Sequence, residues 1–183
     1  MRARFDTIRT KRLVMRRWRD SDREPYAALN ADPVVMRYFP ATHDRASSDD
    51  HVDRMEKLFD MQGFGLWALE VADTGAFIGF TGLNPMPAGT PGAGGMEVGW
   101  RLARGAWHQG YATEAAVAAA GVAFGGAGLA ELWSMTAVGN QPSRAVMRAS
   151  NSSWRTKLRG CALAALENAP SAATSVACPC VSV

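Results

Sequence analysis

The sequence predicts a single mixed α/β (α+β) domain with a mostly antiparallel sheet, flanking helices and one parallel strand pair. Its 183 residues suit one hydrophobic core. Apolar runs and periodicities fall in the order strand, two helices, three strands, helix, strand, helix. The turn Asp73-Thr74-Gly75 joins two of these strands as an antiparallel hairpin, and one strand–helix–strand unit follows. This order favours a mixed sheet over a doubly wound one.

The N-terminal part is predicted to form one strand and two helices. The apolar run at residues 13–18 is typical of a strand. Ser21 and Glu24 have the spacing of a capping box, so the first helix is predicted to begin there. Ser47 opens a second helix with an apolar stripe at helical spacing, and Gly63 ends it.

The remaining elements are three strands, a helix, a strand and a final helix. The strands are predicted at residues 66–71, 76–83, 96–102 and 132–138. Residues 84–95, rich in proline and glycine, are predicted to form a loop between strands. A helix is predicted over 113–124, and another begins at Asn140-Gln141-Pro142-Ser143, where proline suits the first turn.

Composition and charge exclude several classes of protein. The net charge of +3 comes mostly from early arginines that alternate with apolar residues, which indicates a solvated strand face and no nucleic-acid partner. No run approaches the ~18 apolar residues of a membrane span, and the N-terminus lacks a signal-peptide core, so no membrane partner and a cytoplasmic location are expected. Cys161, Cys178 and Cys180 are odd in number and lack further metal ligands, so neither a disulfide scaffold nor a metal is expected.

One segment indicates anion binding. The strand at 96–102 is followed by a turn around Gly110, which runs directly into an alanine-rich helix. The first N–H groups of a helix lack internal partners, and the helix dipole favours an anion there. Many glycine turns before helices bind nothing, so this turn alone leaves phosphate binding and a purely structural role open.

Several motifs in order resemble the GNAT acetyltransferase superfamily. They are Glu97-Val98-Gly99-Trp100, Gly110-Tyr111-Ala112-Thr113-Glu114-Ala115 and Asn140-Gln141-Pro142-Ser143. Within the superfamily, residues 10–16 and 32–38 are similar to the branch of ribosomal-protein N-terminal-alanine acetyltransferases. The resemblance covers about residues 8–147 and implies a GNAT-like fold, in which acetyl-coenzyme A lies where two central parallel strands splay apart.

The resemblance also implies a set of cofactor-binding residues. The family's phosphate motif maps onto residues 107–112, where Trp107 replaces the usual Gln or Arg, a departure that this branch shares. Main-chain N–H groups hold the pyrophosphate in this family, and Gly110 would allow its close approach. The contacts are assigned to His108, Gln109, Gly110, Tyr111, Ala112 and Thr113.

Two further residues at the second splayed strand match the family. Asn140 matches an asparagine that touches the cofactor, and Ser143 matches a serine near its sulfur, where a hydroxyl could protonate the leaving thiolate. Asparagine and serine are also common at helix starts, so helix capping alone would explain both.

Glu97 is the candidate catalytic base. Amine attack on a thioester needs a neutral amine, and a carboxylate acting directly or through water could take its proton. Partial burial on a central strand would raise the pKa of Glu97 and favour that role. The alternative is a carboxylate at a strand edge that faces solvent. His43 and His51 are expected at the surface.

The resemblance stops after Met147. The predicted acetyltransferase domain is therefore 1–147, and 148–183 is a divergent tail without clear strand alternation. We interpret the tail as the product of an altered reading frame; the alternative is a genuine divergent tail with a weak helix over 157–168. Without the family's final hairpin, the strand at 132–138 would have an unpaired edge that favours aggregation.

Two functions compete at this point. The first is an N-acetyltransferase that moves an acetyl group from acetyl-CoA to a primary amine, either a protein N-terminus or a small molecule, as a monomer or homodimer. The second is a non-catalytic acyl-CoA-binding module or an inactive remnant. A nucleotide switch is disfavoured, since no Lys-Ser or Lys-Thr follows the glycine turn. The acceptor pocket is expected between the two early helices, the 84–95 loop and the tail.

Overall fold

A computed structural model describes residues 4–154 and 158–163 of the chain. Seven strands form one sheet in chain order. They are β1 (Thr7–Arg9), β2 (Leu13–Arg16), β3 (Leu66–Val71), β4 (Phe77–Pro85), β5 (Met96–Leu102), β6 (Leu132–Ala137) and β7 (Leu158–Leu163). The α-helices are α1 (Arg23–Ala31), α2 (Arg45–Gln62), α3 (Tyr111–Gly121) and α4 (Gln141–Trp154).

The sheet combines an antiparallel meander with two parallel pairings. Strands β1 to β5 pair antiparallel with their neighbours, whereas β5–β6 and β6–β7 are parallel. Helix α3 connects β5 to β6, and its buried alanines pack with Val98 and Leu102 of β5. Tyr26 of α1 and Val52 of α2 pack instead with Phe80, so these helices lie over the other side of the sheet.

Strands β5 and β6 separate soon after they meet. They pair at one position, Glu97 with Trp133, whereas β6 and β7 pair at every position from Leu132–Leu158 to Ala137–Leu163. Two parallel neighbours that share one bridge leave their backbone groups available beyond it. The predicted mixed sheet with a splayed parallel pair is therefore confirmed.

The structure corrects the expected edge at β6. β7 pairs along all of β6, so the expectation of an unpaired edge is wrong, as is the weak helix where it overlaps Leu158–Leu163. The segment has little alternation of its own, and strand formation depends on the neighbour that it pairs with. Cys178 and Cys180 lie outside the described residues. The boundary after residue 147 and the altered reading frame stay predictions.

The structure also corrects the prediction that the early arginines lie on a solvated strand face, because Arg16 is buried. Its guanidinium contacts the carboxylates of Asp22 at 2.7 Å and Glu70 at 2.8 Å. Asp22 is drawn into this pair, so α1 begins at Arg23 rather than at the predicted capping box. Helix α2 also begins earlier than predicted, because Asp44 caps it by accepting a bond from the Ser47 N–H at 2.8 Å.

Candidate active site

The glycine turn leads into α3 through a left-handed residue. Gly110 has φ 78° and directly precedes the helix, and His108 has φ 60°, which is rare outside glycine. The Glu114 N–H donates to the Gly110 carbonyl at 3.0 Å, and no side chain caps the helix. The N–H groups of the first turn therefore face outward, as anion binding requires.

Three side-chain hydrogen bonds to main-chain carbonyl groups fix the turn. The Trp107 indole N–H donates to the Leu102 carbonyl at 2.7 Å, and the Gln109 amide donates to the Gly105 carbonyl at 2.9 Å. The Arg12 guanidinium donates to the Gln109 carbonyl at 2.8 Å. Because these side-chain bonds use carbonyl oxygens, they fix the turn without occupying the N–H groups of residues 108–113, whereas the Trp107 N–H donates to the Arg104 carbonyl at 3.1 Å.

Arg12 and Glu114 form an ion pair, here called the staple, that joins the start of β2 to α3 and that the sequence did not reveal. The Glu114 carboxylate accepts bonds from Arg12 Nε at 2.7 Å, Arg12 N at 2.8 Å and Thr10 Oγ1 at 2.6 Å. Partial burial raises the pKa of Glu114, but these bonds outweigh it and hold the pKa below its usual value. Both halves of the staple lie within motifs of the resemblance, yet no local spacing links residues 102 apart.

Glu97 lies on β5, partly buried, on the side of the sheet that faces α1 and α2. Its Oε1 accepts a bond from Asn84 Nδ2 at 3.3 Å. Burial raises the pKa of Glu97, and the Asn84 bond partly opposes this. The direction is that expected for a base, and the burial argues against a solvent-facing edge carboxylate; the catalytic role stays a prediction.

An open space lies beside Glu97 on the same face of β5. Side chains alternate along a strand, so Glu97, Gly99 and Arg101 share one face. Their partners on β4 are Asn84, Gly82 and Phe80. A Cβ on Gly99 would meet no atom of the described residues within 4 Å. The surface of β5 between Glu97 and Arg101, which we call the bare floor, therefore carries no side chain and is not covered by other described residues.

A cleft of about 380 Å³ adjoins this face. Asn84 and α2 side chains line it, namely His51, Arg54, Met55, Lys57, Leu58 and Met61. Because Asn84 also contacts Glu97, the cleft leads toward the carboxylate. Its rim is basic, and its wall is apolar.

His51 is not the surface residue that the sequence indicated. It lies on the inner side of α2, where its Nδ1 contacts the Tyr26 hydroxyl and its ring packs edge-on against Phe80. Burial, and then the charges of Arg101 and Arg54, lower the pKa of His51 to about 4. His51 is therefore neutral at pH 7. His43 is exposed, as expected.

Asn140 and Ser143 lie where β6 ends. Asn140 Oδ1 accepts a bond from the Ser143 N–H at 3.3 Å, so Asn140 caps α4. This is the capping role kept open for Asn140, whereas Ser143 takes part in this bond through its main-chain N–H; the contact of both residues with coenzyme stays a prediction. The Tyr38 hydroxyl donates to the Gly139 carbonyl at 3.0 Å, so the α1–α2 loop reaches this turn.

The loop predicted between β4 and β5 covers Trp133, the β6 residue that pairs with Glu97. A Cβ on Gly92 would lie 2.5 Å from the Trp133 ring, and Gly92 has φ 84°. Only glycine fits this close approach. The loop therefore packs above the point where β5 and β6 separate.

Known proteins resemble this chain in sequence and fold. The acetyltransferase (GNAT) domain family matches residues 12–151. The chain belongs to the GNAT acetyltransferase family. It is 30% identical to an acetyltransferase from Agrobacterium tumefaciens, with a TM-score of 0.69 over 78% of this chain and 80% of that one.

Two further similar proteins add detail. The chain is 35% identical over 150 residues to the FsC-acetyl coenzyme A-N(2)-transacetylase of Aspergillus fumigatus, covering 77% of this chain. It spans 62% of the length of the curated relatives it matches. Mycobacterium smegmatis RimJ in complex with CoA-disulfide shares the fold, with 18% identity and a TM-score of 0.57 over 74% of this chain and 68% of that one.

Among the described residues, no group of three or more His, Cys, Asp or Glu side chains is placed to hold a metal ion. No helix of residues 4–154 has the length and apolar character needed to cross a membrane.

Proposed function

We propose that this GNAT protein transfers an acetyl group from acetyl-CoA to a primary amine by direct attack in a ternary complex. One observation carries the proposal: the half-buried Glu97 lies on β5 at its one pairing with β6, and the outward N–H groups at the start of α3 follow the end of the same strand. A candidate anion site and a candidate base are therefore carried by one strand–turn–helix unit, next to the point where β5 and β6 separate.

The residues of the turn suit a pyrophosphate. Gly110 lacks a side chain at the start of α3, and bonds through carbonyl groups leave its neighbours' N–H groups available. We assign the contacts to the main chain of His108, Gln109, Gly110, Tyr111, Ala112 and Thr113, and a further contact to Asn140. The separated edges of β5 and β6 would receive the extended part of the coenzyme.

Glu97 would accept a proton from the acceptor ammonium, directly or through water, which leaves a neutral amine. The amine nitrogen forms a bond to the thioester carbonyl carbon as the carbon–sulfur bond breaks, and the nitrogen then releases its surplus proton to solvent to give the neutral amide. Ser143 would donate its hydroxyl proton to the leaving thiolate, and solvent would restore that proton. The raised pKa makes Glu97 a stronger base than an ordinary glutamate, which suits proton transfer from the acceptor.

The names of relatives support the donor and the acceptor class. The Aspergillus relative is named as an acetyl coenzyme A-N(2)-transacetylase, which agrees with acetyl-CoA as donor and nitrogen as acceptor. A peptide or small-molecule amine, a cytoplasmic location and a monomer or homodimer belong to the same proposal.

Mass spectrometry of candidate amines incubated with the full chain and acetyl-CoA tests the proposal. We expect one amine class to gain a single acetyl group at a rate proportional to protein concentration. Coenzyme binding without transfer to any amine would contradict the proposal and favour the acyl-CoA-binding module.

Replacing Gly110 by Ala is expected to weaken coenzyme binding about tenfold. The left-handed φ costs a non-glycine residue about 1–2 kcal/mol, and a Cβ there would lie 3.4 Å from Arg12 Nη2. Gly105→Ala is the matched control, because a Cβ there meets nothing within 4 Å among the described residues. Calorimetric titration with coenzyme A measures both; equal affinities would show that the turn does not hold the coenzyme.

A further inference from the structure

Arg101 is a mostly buried cation without a carboxylate partner. Its Nη1 donates to Asn30 Oδ1 at 2.6 Å, whereas its buried Nε has no hydrogen-bond partner within the described residues. None of the carboxylates in residues 4–154 forms an ion pair with it. The guanidinium carbon lies 4.2 Å from the ring centre of Phe39 and 5.5 Å from that of Phe80.

The contrast with Arg16 shows why this environment is unusual. Arg16, also buried, is neutralised by two carboxylates. Arg101 keeps its charge with one neutral oxygen and two aromatic faces, and burial lowers its pKa while Tyr26 opposes this weakly. A buried charge and an unpaired donor both cost folding free energy. A ligand anion would relieve both costs.

Asn30 holds Arg101 in position. It is fully buried, and its Nδ2 donates to Ser48 Oγ at 3.0 Å, which fixes Oδ1 toward the guanidinium. Asn30 lies on α1 and Ser48 on α2, so both helices over this side of the sheet position one cation. Such a pre-arranged cation costs little reorganisation when it binds an anion.

Arg101 and Glu97 face the same bare floor. They are four residues apart on β5, so about 13 Å separates their Cα atoms. Gly99 lies between them with open space above it. Arg54 and Lys57 on the cleft rim add positive charge, which disfavours a polyamine and favours an anion. A molecule with an amine at one end and a carboxylate at the other matches both groups.

We propose that the acceptor is a small amino carboxylic acid whose carboxylate binds Arg101 while its amine lies beside Glu97. This inference rests on the proposed acetyl transfer and names its substrate class. A protein N-terminus carries no carboxylate at a fixed distance from its amine, so Arg101 would select against it.

A series of ω-amino acids, from glycine to 8-aminooctanoate, each paired with its carboxamide, tests this. Acetyl transfer by the full chain is expected to favour the carboxylates by about 100-fold in kcat/KM, with an optimum at one chain length, because a charge-assisted pair in a partly buried site is strong. Arg101→Gln should remove the preference mainly through KM and leave coenzyme affinity unchanged. Arg101→Lys should retain part of it.

Arg45→Gln is the matched control, since it removes an exposed arginine of α2 remote from the cleft lining. Equal transfer to carboxylates and amides, or a preference that survives Arg101→Gln, would overturn the inference and leave acetyl transfer intact. If no amine is acetylated, calorimetric binding of the same amino acids to the coenzyme-loaded protein decides. Weaker binding of the amino acids to Arg101→Gln than to the wild-type protein supports the carboxylate site, and equal binding refutes it.

Discussion

Glu97→Gln is expected to lower kcat by about 10²–10⁴-fold, the usual contribution of a general base. Glutamine keeps the shape of the side chain and can still contact Asn84, but it cannot accept a proton. Coenzyme affinity should not change, because the α3 turn is untouched. Acetyl transfer and coenzyme titration measure the two effects separately.

The pH profile gives an independent readout. Burial raises the pKa of Glu97, so kcat/KM should rise with pH through an inflection above the ordinary pKa of a glutamate. Glu97→Gln should remove this inflection and keep the one from the acceptor amine. A retained lower inflection would assign the base to another group.

Stability should change in the opposite direction to activity. A carboxyl with a raised folded pKa stabilises the fold below its usual pKa, and this contribution is lost as pH rises through the raised value. At neutral pH the charged Glu97 is therefore a cost, and Glu97→Gln should melt at a higher temperature. Glu24→Gln, an exposed change on α1 with the same charge difference, should leave activity unchanged and lower stability by no more than about 1 kcal/mol, the usual contribution of an acidic side chain in the first turn of a helix.

Local patterns account for most of the fold that the sequence predicts. The hairpin between β3 and β4 and the strand β5 follow from turn residues and apolar runs, and they appear within two residues of the predicted bounds. β1 and β7 were not predicted. β1 has three residues, too few for periodicity, and β7 depends on its pairing with β6.

The candidate site was predicted where its residues lie in one motif. Glu97 and the turn around Gly110 are of this kind, because each lies at the end of a readable element. The contacts that support them were missed: Arg101 meets Asn30 across 71 residues, and no local spacing reveals such a pair. His51 was misplaced because α2 buries it through Tyr26, a contact between helices that periodicity alone does not show.

Arg16→Met is expected to lower the free energy of unfolding by about 3–5 kcal/mol, the usual effect of removing one partner of a buried ion pair. The Asp22 side chain is 3% exposed and would keep its charge without the guanidinium that contacts it. Glu70 would lose a partner at 2.8 Å, although Arg19 still contacts it at 3.0 Å. Urea unfolding followed by tryptophan fluorescence measures the change.

Arg45→Met is the control, because its pair with Asp49 lies at the surface and should contribute no more than about 0.5 kcal/mol. Adding Asp22→Leu to Arg16→Met should recover part of the loss, since removing both partners leaves less charge unpaired. A double variant less stable than Arg16→Met would show that Asp22 acts through its bond to the Arg19 N–H instead. Asp22 directly precedes α1, which carries Tyr26 and Asn30, so loss of this pair should also weaken the acceptor side of the cleft while the coenzyme turn across the sheet stays formed.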